Sequence, residues 1–145
     1  MEPSSPRVAG VIIRDGGVLL MHRSKHGREF YVFPGGTVEA GEVIDETLRR
    51  EIREETSLMI ESFEPLGCWE SEFEGQRHDA CYFLITHSSG AAALGDGPEL
   101  RAQTADNIYW LAWLPLSDAL SSPLLVPPGI GTHIAHALRQ RGYEW

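Results

Sequence analysis

Three glutamates, Glu51, Glu54 and Glu55, lie close together in a segment that has helical periodicity from Val43 to Thr56. Each residue of an α-helix advances about 100° around the axis, so the three side chains point the same way. Carboxylates gathered in one place repel one another unless a cation compensates their charge. Clustered hard oxygen ligands suit Mg²⁺ or Mn²⁺, whereas zinc prefers thiolate and imidazole groups. The spacing therefore predicts a divalent-metal site on this helix.

The apolar residues of the same helix distinguish a metal site from an ordinary acidic surface. On the helical wheel, Ile44, Leu48 and Ile52 fall on the side of the glutamates. Arg49 and Arg53 fall on the opposite side, where a solvated face belongs. An ordinary acidic surface would place the glutamates opposite the apolar residues. The wheel thus predicts carboxylates that continue the buried stripe.

The rest of the chain alternates between strand and helix patterns. Strands are predicted on both sides of the Asp15-Gly16-Gly17 turn, at 29–33, at 58–74 with an interruption near 65–67, at 78–87 and at 107–114. We expect a loop at Pro34-Gly35-Gly36, a mobile Gly-rich loop at 88–106, a short helix at 115–120 and a C-terminal helix at 130–142. Interspersed elements of this kind favour an α/β or α+β sandwich in which helices cover a mixed sheet.

The composition limits the partners of the chain. Its 145 residues include 21 acidic and 12 basic ones, for a formal net charge of −9. Duplex nucleic acid and anionic membranes are bound by basic faces, so we expect neither as a partner. A small phosphorylated ligand remains compatible if a metal ion brings positive charge. The length predicts one domain covering residues 1–145, and a homodimer is left open.

Localisation is predicted from the cysteines and the start of the chain. Cys68 and Cys81 are the only cysteines, and each lies in an apolar or aromatic stretch. We therefore expect buried thiols without a disulfide, and a cytoplasmic protein. The apolar run at 8–13 is broken by Arg14, and no basic segment precedes it. That pattern predicts neither a signal peptide nor a membrane span.

A motif around the three glutamates resembles a known family. The residues are Gly36-x5-Glu42-x7-Arg50-Glu51-Ile52-x-Glu54-Glu55-x-Ser57-Leu58. This stretch, residues 36–58, resembles the Nudix box of the MutT-like Nudix hydrolases, with one departure, because Ser57 replaces the second glycine. Glycine commonly adopts a left-handed conformation just after a helix, so serine there would carry some backbone strain or end the helix differently. The resemblance implies an α/β/α sandwich with a mixed sheet and a loop–helix–loop catalytic motif.

The resemblance also implies roles for individual residues. Glu51, Glu54 and Glu55, with the carbonyl of Gly36, would be the ligands of Mg²⁺ or Mn²⁺. Arg50 would orient a glutamate as part of the catalytic set.

The resemblance also implies roles for two acidic residues outside this set, Glu42 and Glu99. Glu42 would support the loop and the substrate side of the site. Glu54 is the preferred general base, and Glu99, in the Gly-rich loop, is the alternative, although a solvated loop acid is the favoured interpretation of Glu99.

Arg23 is the candidate phosphate contact. It ends the second predicted strand, where similar family members offer an arginine to substrate phosphate. A guanidinium is always charged and binds phosphate in a bidentate manner. Lys25, His26 and Arg28 make this the most basic stretch of the chain. The alternative is a solvated hairpin end.

The resemblance implies an enzyme that cleaves a nucleoside diphosphate linked to another moiety. The proline of ADP-ribose hydrolases and the tyrosine of dinucleoside polyphosphate hydrolases are missing near Glu74, and the coenzyme A hydrolase signature is incomplete. By elimination, a nucleoside triphosphate, a damaged one included, is favoured as the substrate, which would be cleaved to monophosphate and pyrophosphate. A non-catalytic nucleotide sensor is the main alternative. An isopentenyl diphosphate isomerase is a second one, although neither Cys68 nor Cys81 is placed for its chemistry.

Overall fold

The computed structural model describes residues 6–73, 75–95 and 103–145. The strands are β1 (Arg7–Arg14), β2 (Gly17–Lys25), β3 (Arg28–Val32), β4 (Gly35–Thr37), β5 (Met59–Phe73), β6 (Gln76–Ser89) and β7 (Asn107–Pro115). The helices are α1 (Ile44–Thr56), α2 (Leu116–Ser121) and α3 (Ile130–Gln140). Within these residues the helices are too short or too polar to cross a membrane.

The strands form a mixed sheet. Its main path follows the order β3-β2-β1-β6-β5, while β4 also pairs with β1 and β7 also pairs with β2. β1 and β6 run parallel, and the other neighbours are antiparallel. β1 therefore lies at the centre of the fold and contacts β2, β4 and β6.

Helices cover both faces of the sheet. Successive residues of a strand point to opposite faces, and β1 shows this clearly. Val8 packs in a cluster with Leu48 and Ile52 of α1, whereas Val11 packs in a second cluster with Ile134 of α3. The predicted α/β/α sandwich with a mixed sheet is confirmed.

The Pro34-Gly35-Gly36 stretch was predicted as a loop, and that prediction was wrong. Gly35 and Gly36 belong to β4, which pairs with Ala9 and Val8 of β1. A Cβ atom at Gly35 would collide with the backbone of Val8. Glycine here allows two backbones to approach closely, which is a common reason for glycine in a strand. The loop signal of these residues was therefore a signal of close packing.

The helix α1 matches its predicted bounds, with one difference in burial. Leu48 and Ile52 are fully buried, and the opposite positions Arg49 and Arg53 are exposed, as the wheel predicted. Ile44 is 40% exposed, so its expected place in the core was wrong. It lies in the first turn of α1, ahead of the buried part of the helix.

The cysteines were expected to be free and buried, and the structure contradicts both points. Cys68 on β5 and Cys81 on β6 face each other directly, with a Cα–Cα distance of 4.0 Å, and form a disulfide. Cys68 is exposed. The β5–β6 pair contains register shifts, one of them between Pro65 and Gly67. Register cannot be counted through such bulges in a single sequence, so the facing of the two cysteines was not predictable.

The Gly-rich segment 88–106 was predicted as one mobile loop. Ser88 and Ser89 instead complete β6. Ala93 and Gly95 donate backbone hydrogen bonds to the end of α1, so this part of the segment is attached to the helix. Residues 96–102 lie outside the described residues.

Candidate functional site

The acidic face of α1 lies at the edge of the core. Glu51 and Glu55 are only 8% and 7% exposed, while the side chain of Glu54 is 25% exposed. Leu48 and Ile52 hold the helix on the sheet, and full burial of each contributes about 1.5–3 kcal/mol. The same packing that anchors α1 therefore fixes the positions of two nearly buried carboxylates.

The guanidinium of Arg50 joins three of the acidic side chains. Its Nη1 lies 2.9 Å from Oε1 of Glu51 and 3.3 Å from Oε2 of Glu54. Its Nε and Nη2 donate to the two oxygens of Glu42 at 2.8 and 2.9 Å. The hydrogen bonds to Glu42, helped by the charge of Glu51, raise the pKa of Arg50 above its ordinary value although burial opposes this. Arg50 is thus a permanent cation among carboxylates.

Glu42 ties the loop before α1 to the helix. It accepts hydrogen bonds from Arg50, from the backbone N–H of Glu39 at 3.1 Å and from the hydroxyl of Thr47 at 3.0 Å. These bonds, with those from Arg50 the largest cause, lower the pKa of Glu42 to about 2. The loop therefore has a charged anchor at neutral pH.

The strand β4 lies directly against the acidic face. The backbone N–H of Gly35 donates to Oε2 of Glu55 at 3.2 Å. A Cβ atom at Gly36 would lie 2.5 Å from Oε1 of Glu51, closer than side chains tolerate. Glycine at position 36 therefore lets the Glu51 carboxylate rest on the strand backbone.

The predicted metal ligands lie on α1 and on the neighbouring strand β4. In the described part of the chain, no three His, Cys, Asp or Glu side chains are arranged to hold a metal ion. Arg50 lies between Glu51 and Glu54 and supplies the positive charge there. The donor chemistry nevertheless fits Mg²⁺ or Mn²⁺, because carboxylates and a backbone carbonyl are hard oxygen donors. Binding of a metal would require Glu51 and Glu54 to exchange contacts with Arg50 for contacts with the ion.

Arg23 lies at the end of β2 in an aromatic environment. Its Nη2 donates to Oδ1 of Asn107 at 3.0 Å and to the hydroxyl of Tyr109 at 2.7 Å. The guanidinium lies 4.2 Å from the ring centre of Tyr109 and 5.3 Å from that of Phe30. Its Nε is buried and, among the described residues, has no hydrogen-bond partner. The side chain is thus held in one orientation by β3 and β7.

Sequence reasoning did not identify several of these contacts. Thr47, Asn107 and the amide of Gly35 were not singled out, although each holds a candidate residue in place. Thr47 lies four residues before Glu51 on the helix, and that spacing could have suggested it. Asn107 depends on the pairing of β2 with β7, which one sequence does not reveal. Glu99, the alternative base, lies outside the described residues.

A comparison with protein families bears on this arrangement. The family model described as the NUDIX domain matches residues 4–134. The chain belongs to the NUDIX domain family. The acidic helix, the glycine strand beside it and the arginine between the carboxylates are therefore parts of a NUDIX domain.

Individual relatives of this NUDIX domain act on different nucleotides according to their names. An ADP-ribose pyrophosphatase of Methanocaldococcus jannaschii is 38% identical over 61% of this chain and 54% of that protein. An oxidized purine nucleoside triphosphate hydrolase of Danio rerio is 31% identical over 66% of this chain and 62% of that protein. The chain thus matches little more than half the length of these curated relatives.

A solved structure shows the same fold. The MutT protein of Methanosarcina mazei superposes with a TM-score of 0.75, at 21% identity, covering 98% of both chains. At this level of identity the likeness concerns the architecture alone.

Proposed function

We propose that this NUDIX domain is a divalent-metal-dependent hydrolase that cleaves a diphosphate linkage in a nucleoside diphosphate derivative. The acidic face of α1 carries the proposal, because Glu51 and Glu55 are nearly buried and Glu54 lies beside them. Burying carboxylates costs free energy unless they are paired. A helix that served only to cover the sheet would gain more from apolar side chains at these positions.

Mg²⁺ or Mn²⁺ is the cofactor of this proposal, with Glu51, Glu54, Glu55 and the carbonyl of Gly36 as ligands. A divalent ion there supplies charge that neutralises diphosphate oxygens and makes water more acidic. The remaining residues prepare this site. Arg50 holds two of the carboxylates in place, and Glu42 holds Arg50 through both of its oxygens.

Glu54 is the preferred general base of the proposal. Its carboxylate is the most exposed of the three on α1 and contacts Arg50 at the longer distance of 3.3 Å. Glu51 and Glu55 are nearly buried and bonded more closely to Arg50 and Gly35. The Glu54 carboxylate is therefore the one most able to reach and accept a proton from the attacking water. Glu99 remains the alternative base.

The substrate we propose is a nucleoside triphosphate, an oxidised purine nucleotide included, which water converts to the monophosphate and pyrophosphate. The Danio rerio relative is named an oxidized purine nucleoside triphosphate hydrolase. The name of the Methanocaldococcus jannaschii relative makes ADP-ribose the competing substrate. Arg23 is the proposed phosphate contact, since its guanidinium is charged and held by Asn107 and Tyr109.

The experiment is a release assay with Mg²⁺ or Mn²⁺ that measures the nucleoside monophosphate, which both nucleoside triphosphates and ADP-ribose would yield, and also pyrophosphate, which only the triphosphates would yield. The panel contains an unmodified and an oxidised purine nucleoside triphosphate and ADP-ribose. Glu54→Gln is expected to lower kcat by about 10²- to 10⁴-fold, and Glu55→Gln is expected to abolish the metal-dependent turnover. Glu46→Gln is the matched control, because Glu46 is exposed in the first turn of the same helix.

Other results would redirect the proposal. Turnover that both substitutions leave unchanged would contradict the metal site. Tight nucleotide binding without turnover of any compound would favour the non-catalytic sensor.

A further inference from the structure

Ser57, the single departure from the Nudix box, has a left-handed backbone. Its φ is 65° and its ψ is 6°, and its N–H donates to the carbonyl of Arg53 at 2.9 Å. Glycine makes this turn without strain, whereas a residue with a Cβ atom does not. Ser57 therefore adopts the backbone conformation that glycine would adopt at this position. Its side chain adds a hydroxyl group, and its Cβ atom causes backbone strain.

The hydroxyl of Ser57 contacts a distant part of the chain. It donates a hydrogen bond of 2.8 Å to the carbonyl of Ala93. The N–H of Ala93 in turn donates to the carbonyl of Thr56 at 2.9 Å, and that of Gly95 to the carbonyl of Glu55 at 3.3 Å. We call these three hydrogen bonds the helix clasp. Carbonyls in the last turn of a helix lack partners within the helix, and here residues 93 and 95 satisfy two of them.

Gly95 brings the helix clasp into contact with the acidic face. A Cβ atom at Gly95 would collide with the carbonyl oxygen of Glu54 and lie 2.6 Å from its carbonyl carbon. The segment therefore packs directly on the backbone of the two residues that carry the candidate base and its neighbour, Glu54 and Glu55. A small shift of residues 93–95 would be transmitted to both side chains.

We propose that Ser57 is a positioning residue for the acidic site, which acts by closing the helix clasp and fixing the last turn of α1. This inference rests on the proposed hydrolase function. The hydroxyl of Ser57 bonds the carbonyl of Ala93 and, in the described part of the chain, no candidate site side chain. Its effect reaches Glu54 and Glu55 through the backbone. Catalysis is sensitive to displacements of about 1 Å in groups that must be aligned, so loss of the hydroxyl is expected to lower kcat.

The test compares Ser57→Gly with Ser57→Ala. The glycine variant keeps the left-handed turn without strain and loses only the hydroxyl, while the alanine variant loses the hydroxyl and keeps the strain. For both we expect kcat to fall about two- to fivefold, the effect of one lost hydrogen bond, with an unchanged KM. Ser57→Gly should keep the wild-type Tm, and Ser57→Ala should melt at a lower temperature. Ser121→Ala is the matched control, since among the described residues the Ser121 hydroxyl bonds carbonyls of α2 alone.

Amide hydrogen exchange gives a second readout that does not need activity. The amides of Ala93 and Gly95 should exchange faster in Ser57→Gly than in the wild type, because both belong to the helix clasp. Wild-type kcat in Ser57→Gly would overturn the inference, and so would a fall of kcat in Ser57→Gly that is accompanied by a matching fall of its Tm. A wild-type protein without turnover would refute the proposed hydrolase, and unchanged exchange at both amides would then overturn the helix clasp separately.

Discussion

Arg50 and Arg23 are two partly buried arginines with opposite surroundings. Arg50 on α1 contacts carboxylates, among them both oxygens of Glu42 and one oxygen of Glu51. Arg23 on β2 donates to the neutral oxygens of Asn107 and Tyr109 and lies against an aromatic ring. The charge of Arg50 is therefore compensated by carboxylates, whereas the hydrogen-bond partners of Arg23 in the described part of the chain, Asn107 and Tyr109, are neutral.

This difference indicates that the two regions have different roles in the proposed site. Around Arg50 the chain supplies more negative than positive charge, which suits a cation and a proton acceptor. Around Arg23 it supplies positive charge, and among the described residues no carboxylate accepts a hydrogen bond from the guanidinium, which suits an anion. In a chain with a net charge of −9, a phosphorylated substrate would be attracted to the second region.

Removing the charge of Arg50 should have the largest effect of the changes that test this contrast. Arg50→Met leaves Glu42 and Glu51 without their cation, so we expect a loss of about 2 kcal/mol in the free energy of unfolding. That figure is below the cost of breaking a fully buried pair because the Arg50 side chain is 24% exposed. We also expect kcat/KM to fall about 10- to 100-fold, as for groups that hold ligands in place.

Urea unfolding and the release assay measure both effects of Arg50→Met. Arg53→Met is the matched control, because Arg53 is exposed on the opposite side of the same helix. Equal unfolding midpoints for Arg50→Met and Arg53→Met would contradict the structural role of Arg50.

Removing the charge of Arg23 should change binding more than stability. Arg23→Met eliminates a buried Nε that has no partner among the described residues, but it also leaves Asn107 and Tyr109 without their donor, so we expect a loss of about 1 kcal/mol in the free energy of unfolding. We expect KM for the nucleotide to rise about tenfold, the effect of one lost charged hydrogen bond, with kcat unchanged. Steady-state kinetics measure both constants. Lys25 is exposed and lies two residues further along the same strand, so Lys25→Met should change neither KM nor kcat. A fall in kcat for Arg23→Met would contradict the proposed difference between the two regions.

The sequence predicted the first of these regions better than the second. Helical spacing alone placed Glu51 and Glu55 beside Leu48 and Ile52, because side chains three and four apart share a face whatever the rest of the fold does. The aromatic environment of Arg23 depends on the pairing of β2 with β3 and β7. Such register is a long-range property, so a single sequence gives only the strands and not their partners.

The errors had the same origin. Gly35 was assigned to a loop because glycine and proline mark turns, while the fold uses it for close contact with Val8. Cys68 and Cys81 were expected to be free because each lies in an apolar or aromatic stretch, whereas their disulfide depends on the register of a bulged strand pair. Ser57 was identified as a departure from the motif, but its bond to Ala93 joins positions 36 residues apart. Local chemistry was predictable, and contacts across the sheet and between segments were not.

The smallest expected effect is a pH dependence that should distinguish the two regions. The hydrogen bonds from Arg50 lower the pKa of Glu42 from 4.5 to about 2, so its stabilising contribution is fully present above pH 4.5 and is lost as the pH falls towards 2. Urea unfolding should therefore show Glu42→Gln less stable than the wild type at pH 7, with the difference shrinking across that window. Arg23→Met should keep the acid dependence of the wild type, because Arg23 donates to neutral oxygens. If the free energies of unfolding of the wild type and Glu42→Gln differed by a constant amount from pH 7 to pH 2, Arg50 and Glu42 would not be paired as charges. That result would contradict the proposed difference between the surroundings of the two arginines.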